Sequence, residues 1–509
     1  MTLDPQIKEA LDSFKTLDQK ITYFEELLGV VSWDLQIDAP KKGRQQRSNA
    51  IGALSTEVFE LSMSDEMGAC LDTLSSPEAQ DQLDEVTRAT VRVRKREYDK
   101  SKRIPADLYK EFVILTSNAH DIWEEARKTN NFEHYRPTLE KIVDITRQFA
   151  DIYGYDTHPY NALLDNYEPG LTVETLDPLF KDLREKTIQL LDRIQQSPHQ
   201  PRKEIFEQSF DIEKQKAFNL FVLPQLGYDM DAGMMAESAH PFATGLNTND
   251  VRITTRYLEN NMRSAIFGTI HECGHALYEQ GIDSEYEGTA LREGTSMGIH
   301  ESQSRFLENM VGRSQAFWSY FYNDLKTYFP QQFEDVSLED FSRAINTVEP
   351  SLIRVEADEL TYNLHIMIRY EIEKGLLSGD IEVKDLPQVW NEKMEEYLGV
   401  VPPNDADGVL QDVHWSFGGF GYFPSYALGN LYAAQFMNQM KQDIPNLNDV
   451  IEKGAFHTIR EWLKKHIHTH GKLYTPNELV QRVTGEELNA KYLTDYFEEK
   501  YADVYRLNQ

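Results

Sequence analysis

The chain has 509 residues, 40% of them hydrophobic and 27% charged, and its 84 acidic against 52 basic side chains give a formal net charge of −32. The hydrophobic content excludes a disordered chain, and the negative charge excludes roles that depend on binding polyphosphate or anionic lipid, so neither nucleic acid nor membrane is expected as a partner. With Cys70 and Cys273 the only cysteines there is no disulfide framework, which points to a reducing compartment.

In chain order, the N-terminal stretch MTLDPQIKEALDSFKTLDQK has no apolar h-region, and no run is long enough to span a bilayer, so a cytoplasmic protein is expected. Ile7, Leu11 and Phe14 recur at helical spacing, and Leu139, Ile142, Ile145 and Phe149 repeat the pattern. Tyr167-Glu-Pro-Gly170 reads as a turn. Gly245-Leu-Asn-Thr-Asn-Asp250 reads as a turn into the β-branched segment Val251-Arg-Ile-Thr-Thr-Arg-Tyr257, which predicts a small sheet and a strand edge offered to an extended peptide. Val401-Pro-Pro-Asn404 and the glycine-rich Ser416-Phe-Gly-Gly-Phe-Gly-Tyr422 break the helical pattern again. His466-Ile-His-Thr-His470 follows Trp462-Leu-Lys-Lys465 as the cationic end of a helix. Alternate helical residues splay about 200° apart, so these three histidines make a poor metal site. Thr475-Pro-Asn-Glu478 has the order of a capping box with proline at the first helical position, and Thr484-Gly-Glu-Glu487 repeats the spacing, predicting a second helix start. No repeat, low-complexity tract or linker divides the chain, so one mainly α body over 1–509 is expected.

The segment Thr269-Ile-His-Glu-Cys-Gly-His-Ala-Leu-Tyr-Glu-Gln280 carries the chemistry. On a helix, His271 and His275 project from one face and put two imidazoles on one divalent ion, while Glu272 lies about 100° round and reaches water without being a ligand. Cys273 points about 200° away. Gly274 costs a helix about 1 kcal/mol against alanine, which implies close approach of a backbone or of substrate. An open catalytic site needs a third ligand, and Glu301 in Gly298-Ile-His-Glu-Ser-Gln303 supplies it; the alternative for Glu301 is an i,i+4 pair with Arg305.

Six motifs occur in order: His240-Pro-Phe242, Asp250-Val-Arg-Ile-Thr254, His271-Glu-Cys-Gly-His275, His300-Glu-Ser-Gln303, Ile353-Arg-Val-Glu-Ala-Asp358 and Gly408-Val-Leu-Gln-Asp-Val-His-Trp415. In these the chain resembles the carboxypeptidase Taq type of metallocarboxypeptidase, peptidase family M32, with no departure at the motif residues. The resemblance implies a nearly all-helical fold with a deep substrate groove, similar to neurolysin and angiotensin-converting enzyme, with metal and substrate motifs gathered in 240–426. It also implies a homodimer and a zinc carboxypeptidase of broad specificity acting on peptides.

In that setting His271, His275 and Glu301 are the expected metal ligands, and Glu272 the general base that later protonates the departing amine. Zinc is the expected ion, with cobalt or manganese suited to similar donors. A C-terminal exopeptidase needs a cation for the terminal carboxylate: Arg354 is the first choice, its alternative a helical i,i+4 pair with Asp358. Arg252 is the second, its alternative a pair with Asp250. Tyr422, Tyr426, His240 and His414 are the candidates for stabilising the oxyanion, Tyr422 first because of the glycine-rich turn before it; Asp412 and Trp415 are expected to shape the groove wall. An endopeptidase of similar fold is the alternative activity, and a non-catalytic binding protein with a closed structural metal site a further one. An aminopeptidase is disfavoured, as there is no Gly-x-Met-Glu-Asn segment.

Overall fold

The computed structural model describes residues 3–507. The first helix, α1 (Pro5–Ile37), starts on Asp4, whose side chain accepts from the Gln6 amide, with proline at the first helical position. Its stripe of Ile7, Leu11 and Phe14 is buried with Met67 and Leu71 in an N-terminal cluster separate from the main core. The second stripe lies in α2 (Phe132–Tyr153), where Leu139, Ile142, Ile145 and Phe149 are all buried, the first two in the main core. Helix α3 (Pro159–Tyr167) ends at the expected turn, where Gly170 has positive φ.

Three strands follow: β1 (Gly233–Glu237), β2 (Ala243–Asn247) and β3 (Asp250–Thr255). They are ordered β1-β3-β2, with β1 parallel and β2 antiparallel to β3. The strand expected to offer an edge is therefore the central one, with both edges taken, and Gly245 belongs to β2 rather than to the turn. Centrality follows from burial, since Val251 and Ile253 are fully buried whereas β1 is at best half-buried.

Behind the sheet runs α4 (Met262–Gly281), tied to β3 by a bond from Thr269 Oγ1 to Thr255 Oγ1 at 2.9 Å. Helix α5 (Met297–Arg305) starts on Ser296, whose Oγ accepts from the Ile299 amide, and then widens into a π turn over Phe306–Val311. The remaining walls are α6 (Tyr362–Ser378) and α7 (Pro424–Asp443). Helix α8 (Pro476–Thr484) has both bonds of the expected capping box on Thr475 and Glu478. Thr484 does not begin a helix: it is the last residue of α8, its hydroxyl donates to the Val480 carbonyl, and Gly485 ends the helix in the left-handed region.

Helices α4, α5 and α7 meet across glycines. A Cβ on Gly274 would lie 2.6 Å from Ser304 Cα and closer still to the Gln303 carbonyl, so the close approach implied by the sequence is that of the α5 backbone. A Cβ on Gly429 of α7 would lie 2.8 Å from Glu301 Cβ. Gly274→Ala is expected to destabilise the protein by more than about 2 kcal/mol despite alanine's better helix propensity, because the obstruction is backbone that cannot swing aside. Urea unfolding checks this; an unchanged midpoint contradicts the packing described.

Candidate active site

Helix α4 places His271 and Glu272 on the wall of a cavity of about 1870 Å³. Nε2 of His271 lies 3.5 Å, and Nε2 of His275 3.3 Å, from the same oxygen, Oε2 of Glu301. This is the single such grouping found among the described residues, its donor atoms all within 4.8 Å of one another. Ligands about 2.0–2.2 Å from a tetrahedral ion lie roughly 3.4 Å apart, so two imidazoles and one carboxylate at these separations fit one divalent ion. The alternative for Glu301, a pair with Arg305, forms without occupying that oxygen, because Oε1 accepts from Arg305 Nε at 2.7 Å. Burial disfavours charge on Glu301, yet Arg305 and the two histidines hold its carboxyl well below the usual range.

Each imidazole is oriented from behind. His271 Nδ1 lies 2.9 Å from Oε2 of Glu308, which the π turn carries. His275 Nδ1 lies 2.6 Å from His300 Nδ1, and His300 Nε2 lies 2.7 Å from Oε1 of Glu279. With Glu279 accepting from His300 Nε2–H and His300 Nδ1 accepting from His275 Nδ1–H, His275 Nε2 is left turned to Glu301 with a free lone pair. Burial pulls His275 down to about 3, so that ring stays neutral, the form a metal needs.

Glu272 is buried, lines the cavity and has no hydrogen-bond or ion-pair partner among the described residues; burial pushes its carboxyl up to about 7. Cys273 is buried in the main core, away from the cavity wall.

Arg354 also lines the cavity. It lies in a 3-10 turn, so the helical pairing with Asp358 does not form; Asp358 instead accepts from the amides of Leu360 and Thr361 at the entry to α6. The partner of Arg354 is Asp412, reached by Nε at 2.9 Å, with a bond to Tyr362 Oη at 3.0 Å. Asp412 is shared with Arg369, whose Nε donates to Oδ2 at 2.6 Å, so two guanidiniums face one carboxylate. Arg252 is paired with Asp250 at 2.8 Å and lies over the Trp33 ring, off the cavity lining.

His240 is exposed and His414 buried, and both line the cavity with Tyr426. His414 Nε2 is 3.3 Å from Tyr426 Oη, and burial lowers its value to about 4. Tyr422 is off the lining, its ring 5.3 Å from that of Tyr426. Thr254 positions the His240 loop, its Oγ1 accepting from the Phe242 amide at 2.9 Å. The histidines at 466, 468 and 470 do not converge: His466 stacks on Trp462, and His468 is buried with Nε2 2.8 Å from Gln303 Oε1.

The sequence reading missed Glu279, Glu308, Arg369 and Glu373. The first two had a signal, being four residues beyond His275 and seven beyond Glu301, both returns to the same helix face. Glu373 of α6 accepts from Trp415 Nε1 at 2.8 Å, the Gly421 amide at 2.9 Å and Tyr160 Oη at 2.6 Å, fixing the segment that carries His414 and Tyr422. Burial raises its carboxyl from 4.5 to about 7. An acid whose folded value lies above its unfolded one binds more protons when folded, so its contribution is best below pH 4.5 and declines as pH rises to about 7. The stability of the wild type minus that of Glu373→Gln is expected to fall by on the order of 3 kcal/mol across that window, measured by urea unfolding at stepped pH; a flat difference contradicts it.

The family model described as Carboxypeptidase Taq (M32) metallopeptidase matches residues 13–501. Carboxypeptidase 1 of Bacillus subtilis (strain 168) is 49% identical over 494 residues, covering 97% of this chain and 98% of that protein. Thermostable carboxypeptidase 1 of Thermus thermophilus is 41% identical over 506 residues, covering 97% and 99%. Among solved structures, the M32 carboxypeptidase from Deinococcus radiodurans R1 has a TM-score of 0.94 at 36% identity, covering 99% of this chain and 100% of that one.

Proposed function

The chain belongs to the carboxypeptidase Taq (M32) family of metallopeptidases and is a carboxypeptidase, and we propose that it releases single residues of broad identity from peptide C-termini with zinc held by His271, His275 and Glu301. The observation that carries this reading is one carboxylate oxygen within 3.5 Å of both imidazole nitrogens, beside an unpartnered Glu272. Two nitrogens and one oxygen suit zinc, and cobalt or manganese can occupy the same donors. A divalent ion bound there supplies Lewis acidity toward the scissile carbonyl and toward water.

The remaining steps fall to this chain's side chains. The Glu272 carboxylate takes the proton of the attacking water and delivers it to the leaving amide nitrogen, a double duty suited to a group whose affinity for the proton lies near neutrality. Arg354 receives the terminal carboxylate. Its cluster supports that role, because Arg354 and Arg369 together against Asp412 leave one positive charge without a partner. The oxyanion is met by Tyr426 ahead of Tyr422, since Tyr426 reaches the cavity wall, while His414 orients Tyr426 and His240 forms part of the wall.

A homodimer is supported by the exposed stripe of Tyr23, Leu27 and Val30 on α1, spaced as one helix face. A reducing cytoplasm is supported by two buried free cysteines. No helix among the described residues is long and apolar enough to cross a membrane.

Glu272→Gln is expected to retain bound metal and lose about 10²- to 10⁴-fold in kcat. Elemental analysis and steady-state kinetics on one sample test this; near wild-type turnover contradicts the assignment. Chelation is expected to abolish activity, and zinc to restore it.

Arg354→Met leaves Asp412 paired with Arg369, so folding should survive while kcat/KM drops about 100-fold. Amidating the peptide C-terminus should cost the wild type as much and the variant little. Equal losses in both enzymes contradict the carboxylate role.

A further inference from the structure

The cavity wall carries a second cation that the mechanism above does not use. Arg263, in the first turn of α4, is partly buried, with its guanidinium 4.9 Å above the centre of the Phe206 ring. Among the arginines that line the cavity, Arg305, Arg313 and Arg354 have carboxylate partners and the unpaired Arg127 and Arg256 are exposed, whereas Arg263 is partly buried with no ion-pair or hydrogen-bond partner among the described residues. Acids outnumber bases 84 to 52 in this chain, so a partner was easy to supply. Apart from the Phe206 face, which attracts a cation, its surroundings oppose its charge. Burial and the neighbouring Arg313 pull its value below the usual guanidinium range, and the first turn of a helix disfavours a cation. An aliphatic side chain would cover Phe206 without these costs.

We propose that Arg263 is a specificity residue that recognises an acidic side chain of the peptide three or four residues before the scissile bond; this rests on the reading of Arg354 as the receptor for the C-terminal carboxylate. Eight residues of helix separate Arg263 from His271, about 12 Å at 1.5 Å per residue. An extended peptide covers that distance in three to four residues at about 3.3 Å each. The direction follows from the neighbours. From Glu301 one route leads through Arg305, over the Tyr362 ring at 4.5 Å, to Arg354. From His271 the other leads back along α4 past Phe267, which packs under Arg313, to Arg263. With the terminal residue held on the Arg354 route, the Arg263 route is left for residues upstream. The Phe206 face holds the guanidinium plane in place, so a carboxylate meets a preorganised fork.

The test uses six-residue peptides with free C-termini that differ only by Glu, Gln or Lys at the second, third or fourth residue before the cleaved bond. For the wild type, Glu is expected to exceed Gln by about tenfold in kcat/KM at the third or fourth position, and by little at the second. Arg263→Gln should level this ratio, and Arg263→Glu should turn it into a preference for Lys. A wild-type Glu-to-Gln ratio near one at all three positions overturns the proposal alone, provided amidated versions are still refused. Cleavage of amidated peptides at the free-acid rate overturns the Arg354 reading and this one with it. Survival of the Glu preference in Arg263→Gln, or failure of Arg263→Glu to invert it, also overturns it, and the wild-type comparison holds whether or not the variants fold.

Discussion

Glu301 presents two oxygens to two unlike partners, and the packing of three helices serves to keep that division. Oε1 accepts from Arg305, and Oε2 lies within 3.5 Å of both imidazole nitrogens while accepting from Ser304 Oγ at 2.9 Å. A carboxylate free to rotate would share both oxygens between these partners and fix neither. The side chain is pinned because α7 comes against it at Gly429 and α4 comes against the α5 backbone at Gly274. Tight contact at a glycine is unforgiving, since interiors are packed to crystalline density and have little room for an added methyl. The candidate third donor is thus placed by backbone approach and by the Ser304 hydroxyl, and tuned by charge.

Around that point the electrostatics run against the character of the chain. A net charge of −32 repels a peptide carboxylate at long range. Screening over about 8 Å at physiological salt confines that repulsion to the surface, whereas a buried cluster acts at contact. Two arginines around one aspartate give such a cluster a positive remainder. Replacing Arg369 by a neutral residue would leave Arg354 matched to Asp412, with no charge over. On the proposal that Arg354 receives the terminal carboxylate, Arg369 is therefore as relevant to binding as Arg354 itself.

The local features were the legible ones. The helical stripes at Ile7 and Leu139, the capping box at Thr475, the sheet at Val251 and the trio His271, His275 and Glu301 all depend on spacing within a dozen residues or on a motif with one geometric meaning. What escaped depends on distant pairing. Asp412 is 58 residues from Arg354, and no helical rule selects it over Asp358, four residues away. The order of strands depends on which one α4 buries, and β-branching in Val251 to Thr255 does not say that both edges will be taken. Thr484 shows the limit of a local rule: serine or threonine three residues before glutamate marks a helix start only if no helix already runs into it, and α8 does.

Two buried acids link the site to stability. Glu168 accepts from the Gly298 amide at 3.1 Å, at the start of the helix that carries Glu301, and Glu373 accepts from the Gly421 amide just before Tyr422. Burial raises both carboxyls to about 7. A protein selected for stability alone would not bury two such groups, because each carries a desolvation cost that its bonds only partly offset. Backbone amides at a helix start or a turn have no partner of their own, however, and a buried carboxylate fixes them with a directionality that apolar packing lacks. The cost is accepted where loops must be exact to fractions of an ångström, and the two acids stand behind the elements that carry the third metal-ligand candidate and the oxyanion candidates.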